Sequence, residues 1–246
     1  MAYFLTIDQG NSAAKLALWE NDKAISHTVI SQLTVAGVDV FVGDKPLRAA
    51  LYCSVATEAQ AVMDELKTLT HNVTRLSAAI PLPLKISYKS PCSLGADRIA
   101  AAAGAMAVCP GEQVLVVDIG TAVTYDVVTA DGTFIGGNIA PGLKMRLDSL
   151  NRYTARLPLL NLPDSVDSTE PMLGTDTSSA MIRGALHGIA GAVSYYQSRL
   201  TAPTKVILTG GDARYIAPLC NFPLIVEEHL VDIGLNRILL YNEENK

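Results

Sequence analysis

The residues able to do chemistry gather where short apolar runs end. Ile7-Asp8-Gln9-Gly10-Asn11-Ser12 closes one run and Val117-Asp118-Ile119-Gly120-Thr121-Ala122 closes another. In both, Asp-x-Gly and a small polar residue lead into a further strand. Glycine there lets the backbone turn sharply and offer N–H groups to phosphate oxygens with no Cβ in the way. The small hydroxyl or amide adds donors, and the aspartate suits a cation or its hydration shell. Lys15, on the strand after the first turn, is spaced to reach back as a point charge. One such turn is ordinary in hairpins. Two copies, with Thr209-Gly210-Gly211-Asp212 after a third strand, point to a nucleotide held by its phosphates.

Leu94-Gly95-Ala96-Asp97-Arg98 opens an alanine-rich stretch of helix. Asp97 in a first turn is favoured by the helix dipole and serves either as an electrostatic cap or as a general base toward an attacking alcohol. Arg98 is either its solvated partner or a planar clamp for a substrate carboxylate. Other chemistries lack their residues. The 18 glycines contain no G-x-G and no Gly-Lys pair, which excludes the dinucleotide fingerprint and the Walker A loop. His27, His71, His187 and His229 stand alone and read as surface or satisfied core histidines. Cys53, Cys92, Cys109 and Cys220 show no C-x-x-C spacing and read as buried or inert thiols in a reducing cytosol.

The elements that must hold these residues follow from periodicity. Strands are expected at 3–8, 13–20 and 24–30 as an antiparallel meander, then at 48–55, with a helix over 58–69 that Thr57 can cap. The alanine-rich helix covers 94–108 and stops at Cys109-Pro110-Gly111. The pattern then restarts with strands at 114–118, 122–128 and 133–137 and helices at 143–151 and 178–199. Strands at 205–209 and 223–227 and a last helix at 232–241 complete it. A motif repeated at this distance means duplicated domains, expected as lobes 1–111 and 112–246 facing each other across a cleft.

Composition agrees. At 246 residues and 49% apolar, the chain can bury a sizeable core. Nineteen Lys+Arg against 24 Asp+Glu leave a net charge of −5, a poor basis for binding nucleic acid through counterion release. The longest uncharged apolar runs, 99–111 and 184–198, are short of the roughly 20 residues a membrane span needs, and their Ala and Gly content suits close helix packing. The expectation is a cytoplasmic protein with no membrane or nucleic-acid partner.

Together these motifs resemble the type III pantothenate kinases, within the superfamily of acetate and sugar kinases, heat-shock chaperone ATPases and actin. The likeness runs through Asp8–Ser12, Gly95-Ala96-Asp97-Arg98, Asp118–Ala122, Gly136-Gly137-Asn138-Ile139-Ala140-Pro141-Gly142, Thr209–Asp212 and Leu230–Leu235, in the family's order over almost the whole chain. It implies an α/β fold of two duplicated ribonuclease-H-like, actin-like ATPase lobes, each a mixed five-stranded sheet flanked by helices. It implies ATP-dependent phosphorylation of pantothenate to phosphopantothenate, the first step of coenzyme A biosynthesis, by a homodimer using Mg2+ and a monovalent cation, K+ or NH4+. Carried over by position, Asp8, Gln9, Gly10, Asn11, Ser12, Ala13, Ala14 and Lys15 form the ATP phosphate loop, with Asp8 near Mg2+, and Thr121 contacts ATP. Asp118 holds the monovalent cation, and Asp97 accepts the proton. Gly95, Ala96, Asp97 and Arg98 line the pantothenate site, Tyr88 packs on the substrate and Thr177 contacts it.

Two positions depart from the family. Ser12 stands for its usual Thr, and Asp176 for the Asn of Gly-x-Asn-Thr. Asp176 is expected to cap the helix that follows. The alternatives are a kinase of this fold acting on another small alcohol, and a nucleotide-binding regulator without turnover.

Overall fold

Alternating apolar residues build the first sheet. β1 (Tyr3–Gln9), β2 (Ala14–Glu20) and β3 (Lys23–Ile30) form the expected antiparallel meander. After α1 (Val35–Val42), β4 (Leu47–Ser54) lies parallel beside β1. α2 (Ala59–Leu66) leads to β5 (Val73–Arg75), giving the strand order β3-β2-β1-β4-β5. These residues belong to a computed structural model that describes residues 2–10, 13–54, 59–167, 169 and 171–245. The capping position expected at Thr57 lies outside them. α1 has no counterpart in the sequence reading. Its valines disfavour helix, and what marks it are its ends: Thr34 Oγ1 accepts from the Gly37 N–H at 3.1 Å, and Gly43 closes it at φ 61°.

The sheet's two faces do different work. Leu5, Ile7, Ala50 and Tyr52 point to one side and pack with Val38, Val42 and Leu66. Strand alternation therefore sends Phe4, Thr6 and Asp8 to the other side. There α3 (Ala96–Val108), which follows the short β6 (Lys85–Ile86), packs along α7 (Leu230–Glu244). The two helices meet backbone to backbone. A Cβ on Gly104 would stand 2.1 Å from the Leu230 carbonyl oxygen, and one on Gly234 1.8 Å from that of Ala100. Asn236 on α7 also donates to the Asn21 carbonyl at 3.0 Å, and His27 Nδ1 on β3 lies 3.6 Å from the buried Asp232 carboxylate.

The second sheet carries β7 (Gln113–Ile119), β8 (Ala122–Val128), β9 (Thr133–Pro141), β10 (Thr204–Thr209) and β11 (Ile225–Val226), and with β6 beside β9 it has six strands in the order β11-β10-β7-β8-β9-β6, one more than the five expected. α4 (Leu143–Arg152), α5 (Thr177–Arg199) and α6 (Ala213–Ile216) accompany it, and the core runs through Val117, Tyr125, Leu147, Ile189 and Leu208. Two compact units result. One comprises Met1–Pro110, Gly132–Phe134 and Leu230–Lys246, the other Gly111–Asp131 and Ile135–His229. A cut near residue 111 thus misses two excursions. α7 packs in the first unit because its small face matches that of α3, and Thr133 and Phe134 pair there in parallel with β6.

In the run 184–198 a Cβ on Gly188 would stand 2.8 Å from an Arg146 guanidinium nitrogen, but the other two glycines behave differently from Gly104. Around Gly184 and Gly191 no atom comes within 4 Å of a would-be Cβ, so close packing holds for the first run and not at these positions. All four cysteines are free; Cys53 and Cys109 are buried, Cys220 is half-buried and Cys92 is exposed. No helix among the described residues is long and apolar enough to cross a membrane.

Candidate active site

In the first unit, strand pairing sets Asp8 between two neighbours. It is opposite Lys15 on antiparallel β2 and Cys53 on parallel β4, so the three side chains share a sheet face. Burial pushes the Cys53 thiol well above its usual pKa, and the charges of Asp8 and then Asp97 push it further, while Arg75 opposes. The thiol also hydrogen-bonds to Asp8. The charges of Asp8 and Asp97, 89 positions apart in sequence, thus both act on one buried thiol. On the other face the Tyr52 hydroxyl donates to Gln9 Oε1. The Gly10 N–H donates to the Ala13 carbonyl at 3.0 Å, closing the turn; Asn11 and Ser12 lie outside the described residues.

Asp97 sits in the first turn of α3, half-buried, with Oδ1 accepting from the Arg98 backbone N–H at 2.9 Å. A Cβ on Gly95 would stand 2.4 Å from that oxygen, so the glycine leaves room for the carboxylate to fold over the helix end. Arg98 is buried, its guanidinium carbon 5.8 Å from the centroid of the Tyr88 ring and 5.6 Å from that of Phe134. Cys53 and Phe134 were not singled out from sequence. Each reads there as one more apolar strand residue.

In the second unit three turns converge on the end of β7. Asp118 is in register with Thr124 on β8 and Thr209 on β10. Gly210, at φ 86°, leaves no space for a side chain, since a Cβ would lie 2.4 Å from Asp118 Oδ1 and 2.5 Å from the Ile119 carbonyl oxygen. Gly142 is pressed against the same turn, its would-be Cβ 2.0 Å from the Gly120 carbonyl oxygen and 2.6 Å from that of Thr121. Thr121 itself is exposed. The connection here is shorter than its counterpart: residues 120–121 join β7 to β8, whereas 10–13 join β1 to β2. Burial raises the carboxyl pKa of Asp212 beside these turns, with Arg214 opposing.

Asp176 caps α5 as expected, Oδ1 accepting from the Ser179 N–H at 3.0 Å and Oδ2 from its hydroxyl at 2.7 Å. Those bonds hold its carboxyl below the usual range. Thr177, next along, lines a cavity of about 590 Å³ with Arg146, Ser149 and Met181 in the second unit. Tyr88, Ala96, Asp97, Arg98, Asp8 and Lys15 are all in the first unit; Asp118, Thr121 and Thr177 are in the second.

Comparison with known proteins now bears on these arrangements. Residues 4–199 match the family described as Type III pantothenate kinase. A protein of that name from Porphyromonas gingivalis strain W83 is 36% identical over 245 residues, covering 98% of this chain and all of the relative. Its namesake from Phocaeicola vulgatus is 36% identical over 243 residues, covering 98% and 99%. Among solved structures, a conserved putative Baf family transcriptional activator from Campylobacter jejuni superposes with a TM-score of 0.64 at 22% identity, covering 98% of this chain and 99% of that one. The (R)-2-hydroxyglutaryl-CoA dehydratase component A from Acidaminococcus fermentans does so at 0.58 and 14%, covering 100% and 99%. At these identities the structural likeness speaks for the actin-like ATPase fold alone.

Proposed function

The chain belongs to the type III pantothenate kinase family, and from that premise we propose how its residues move a phosphoryl group from ATP to pantothenate. The enzyme phosphorylates pantothenate with ATP in coenzyme A biosynthesis. In the proposed assignment the pantothenate hydroxyl oxygen bonds to the γ-phosphorus of ATP as its proton passes to the Asp97 carboxylate. The bond from that phosphorus to the bridging oxygen breaks, and ADP leaves. Phosphoryl transfer asks the protein mainly to position groups and to offset charge. The backbone turns at Gly10 and Gly120, with Lys15, serve the phosphates, and Thr121 contacts ATP. Arg98 takes the pantothenate carboxylate, with Tyr88 and Thr177 as further contacts.

The observation that supports this reading is that the charges of Asp8, paired with Cys53 across β1 and β4, and of Asp97 both act on the Cys53 thiol. Cation binding is supported by the donors. Asp118 Oδ1 and the Ile119 carbonyl oxygen crowd the same cradle under Gly210, an oxygen set that suits K+, and Asp8 offers a carboxylate for Mg2+. When bound, these cations would neutralise phosphate charge. A homodimer is supported by the exposed Ile139, Met145, Tyr153 and Tyr195 of the second unit. The cytoplasm is the proposed location, as the compartment supplying ATP.

A coupled ADP-release assay tests the assignment. Turnover should require pantothenate and Mg2+ and should fall when K+ is replaced by Na+. Preference for a sugar or hydroxy acid, or ATP binding without turnover under any cation, would refute it.

A further inference from the structure

Phe134 lies outside every motif named above, yet it touches two residues of the proposed substrate site. It is the second residue of β9, fully buried, and pairs with Ile86 of β6. Its carbonyl accepts from the Ser87 N–H at 2.9 Å, so this short ladder fixes both Phe134 and the approach of Tyr88. The Tyr88 and Phe134 rings stand edge to face with centroids 6.0 Å apart. The Arg98 guanidinium carbon is 5.6 Å from the Phe134 centroid and 5.8 Å from that of Tyr88, and Arg98 is only 6% exposed.

A guanidinium held against aromatic rings is attracted by their π-electrons, a contact that uses none of its N–H donors. The rings thereby restrict the plane in which those donors point, and a carboxylate is recognised through that plane. We propose that Phe134 is a positioning residue for Arg98, and that through it the enzyme prefers pantothenate over analogues lacking the carboxylate. The inference rests on the reading that Arg98 takes the carboxylate. Leucine would fill most of the volume of Phe134 but would offer no ring face.

Steady-state kinetics on the full-length enzyme, with pantothenate and with an analogue bearing an alcohol in place of the carboxylate, test this. Phe134→Leu should raise KM for pantothenate about five-fold or more. It should change kcat, KM for ATP and KM for the uncharged analogue less than about two-fold, and add nothing in an Arg98→Met background. Phe134→Tyr, which keeps the ring, should restore KM to within about two-fold of the parent. Fluorinated phenylalanine at position 134 preserves the ring's shape while drawing charge from its face, so KM for pantothenate should rise with fluorine content even if Phe134→Leu fails to fold. An unchanged pantothenate KM across these variants, or an equal loss on both substrates, would overturn the inference and leave the ring as packing. An Arg98→Met enzyme with normal pantothenate KM would instead overturn the carboxylate reading itself.

Discussion

At the scale of single residues, the proposed chemistry turns on Asp97. Asparagine there keeps the size and a hydrogen-bond acceptor for the Arg98 N–H but cannot take a proton. Asp97→Asn should therefore lower kcat by roughly 10²-fold or more with little change in melting temperature, measured by ADP release and thermal unfolding. Asp97 and Asp8 were legible because polar residues that interrupt apolar runs beside glycine stand out in any sequence. Cys53 and Phe134 were not, because a thiol or phenyl group on a buried strand looks the same whether it fills space or supports a neighbour. Cys53, read from sequence as a buried or inert thiol, is buried and free, and it also hydrogen-bonds to a candidate site acid.

Elements are held by contacts that glycine and capping residues make possible. Gly104→Ala would drive a methyl group into the Leu230 carbonyl, where backbone has no freedom to yield. Such overpacking should cost about 1–3 kcal/mol or more, read from urea unfolding. The α5 cap gives a pH signature. Because Ser179 holds the Asp176 carboxylate in its charged form, the folded pKa lies below the unfolded value of about 3.9. The associated stability is whole above that unfolded value and is lost as pH falls through the lowered one. Asp176→Asn can still cap the helix but carries no such charge, so its melting temperature should fall less steeply below about pH 4. Periodicity revealed the long strands and helices. The two-residue β6 and three-residue β5 are too short to show any period, and the valines of α1 argue locally for strand.

For the whole molecule, the exposed apolar residues of the second unit give an expectation that light scattering after size-exclusion chromatography can check: a mass twice that of the 26.1 kDa chain. A single-chain mass at micromolar concentration would remove the homodimer. The repeated Asp-x-Gly motif made the two-part plan legible, but nothing local could announce that α7 goes back to the first unit. Contacts such as Gly234 against Ala100 leave no periodic trace, only glycines whose purpose emerges when both backbones are seen. That return has a consequence for synthesis. The helix bearing Asp97 leaves the ribosome more than a hundred residues before its partner helix, so the nascent first unit must wait with an alanine-lined flank uncovered while the entire second unit is made. Chaperone capture of the growing chain should accordingly concentrate in that interval and cease once α7 emerges.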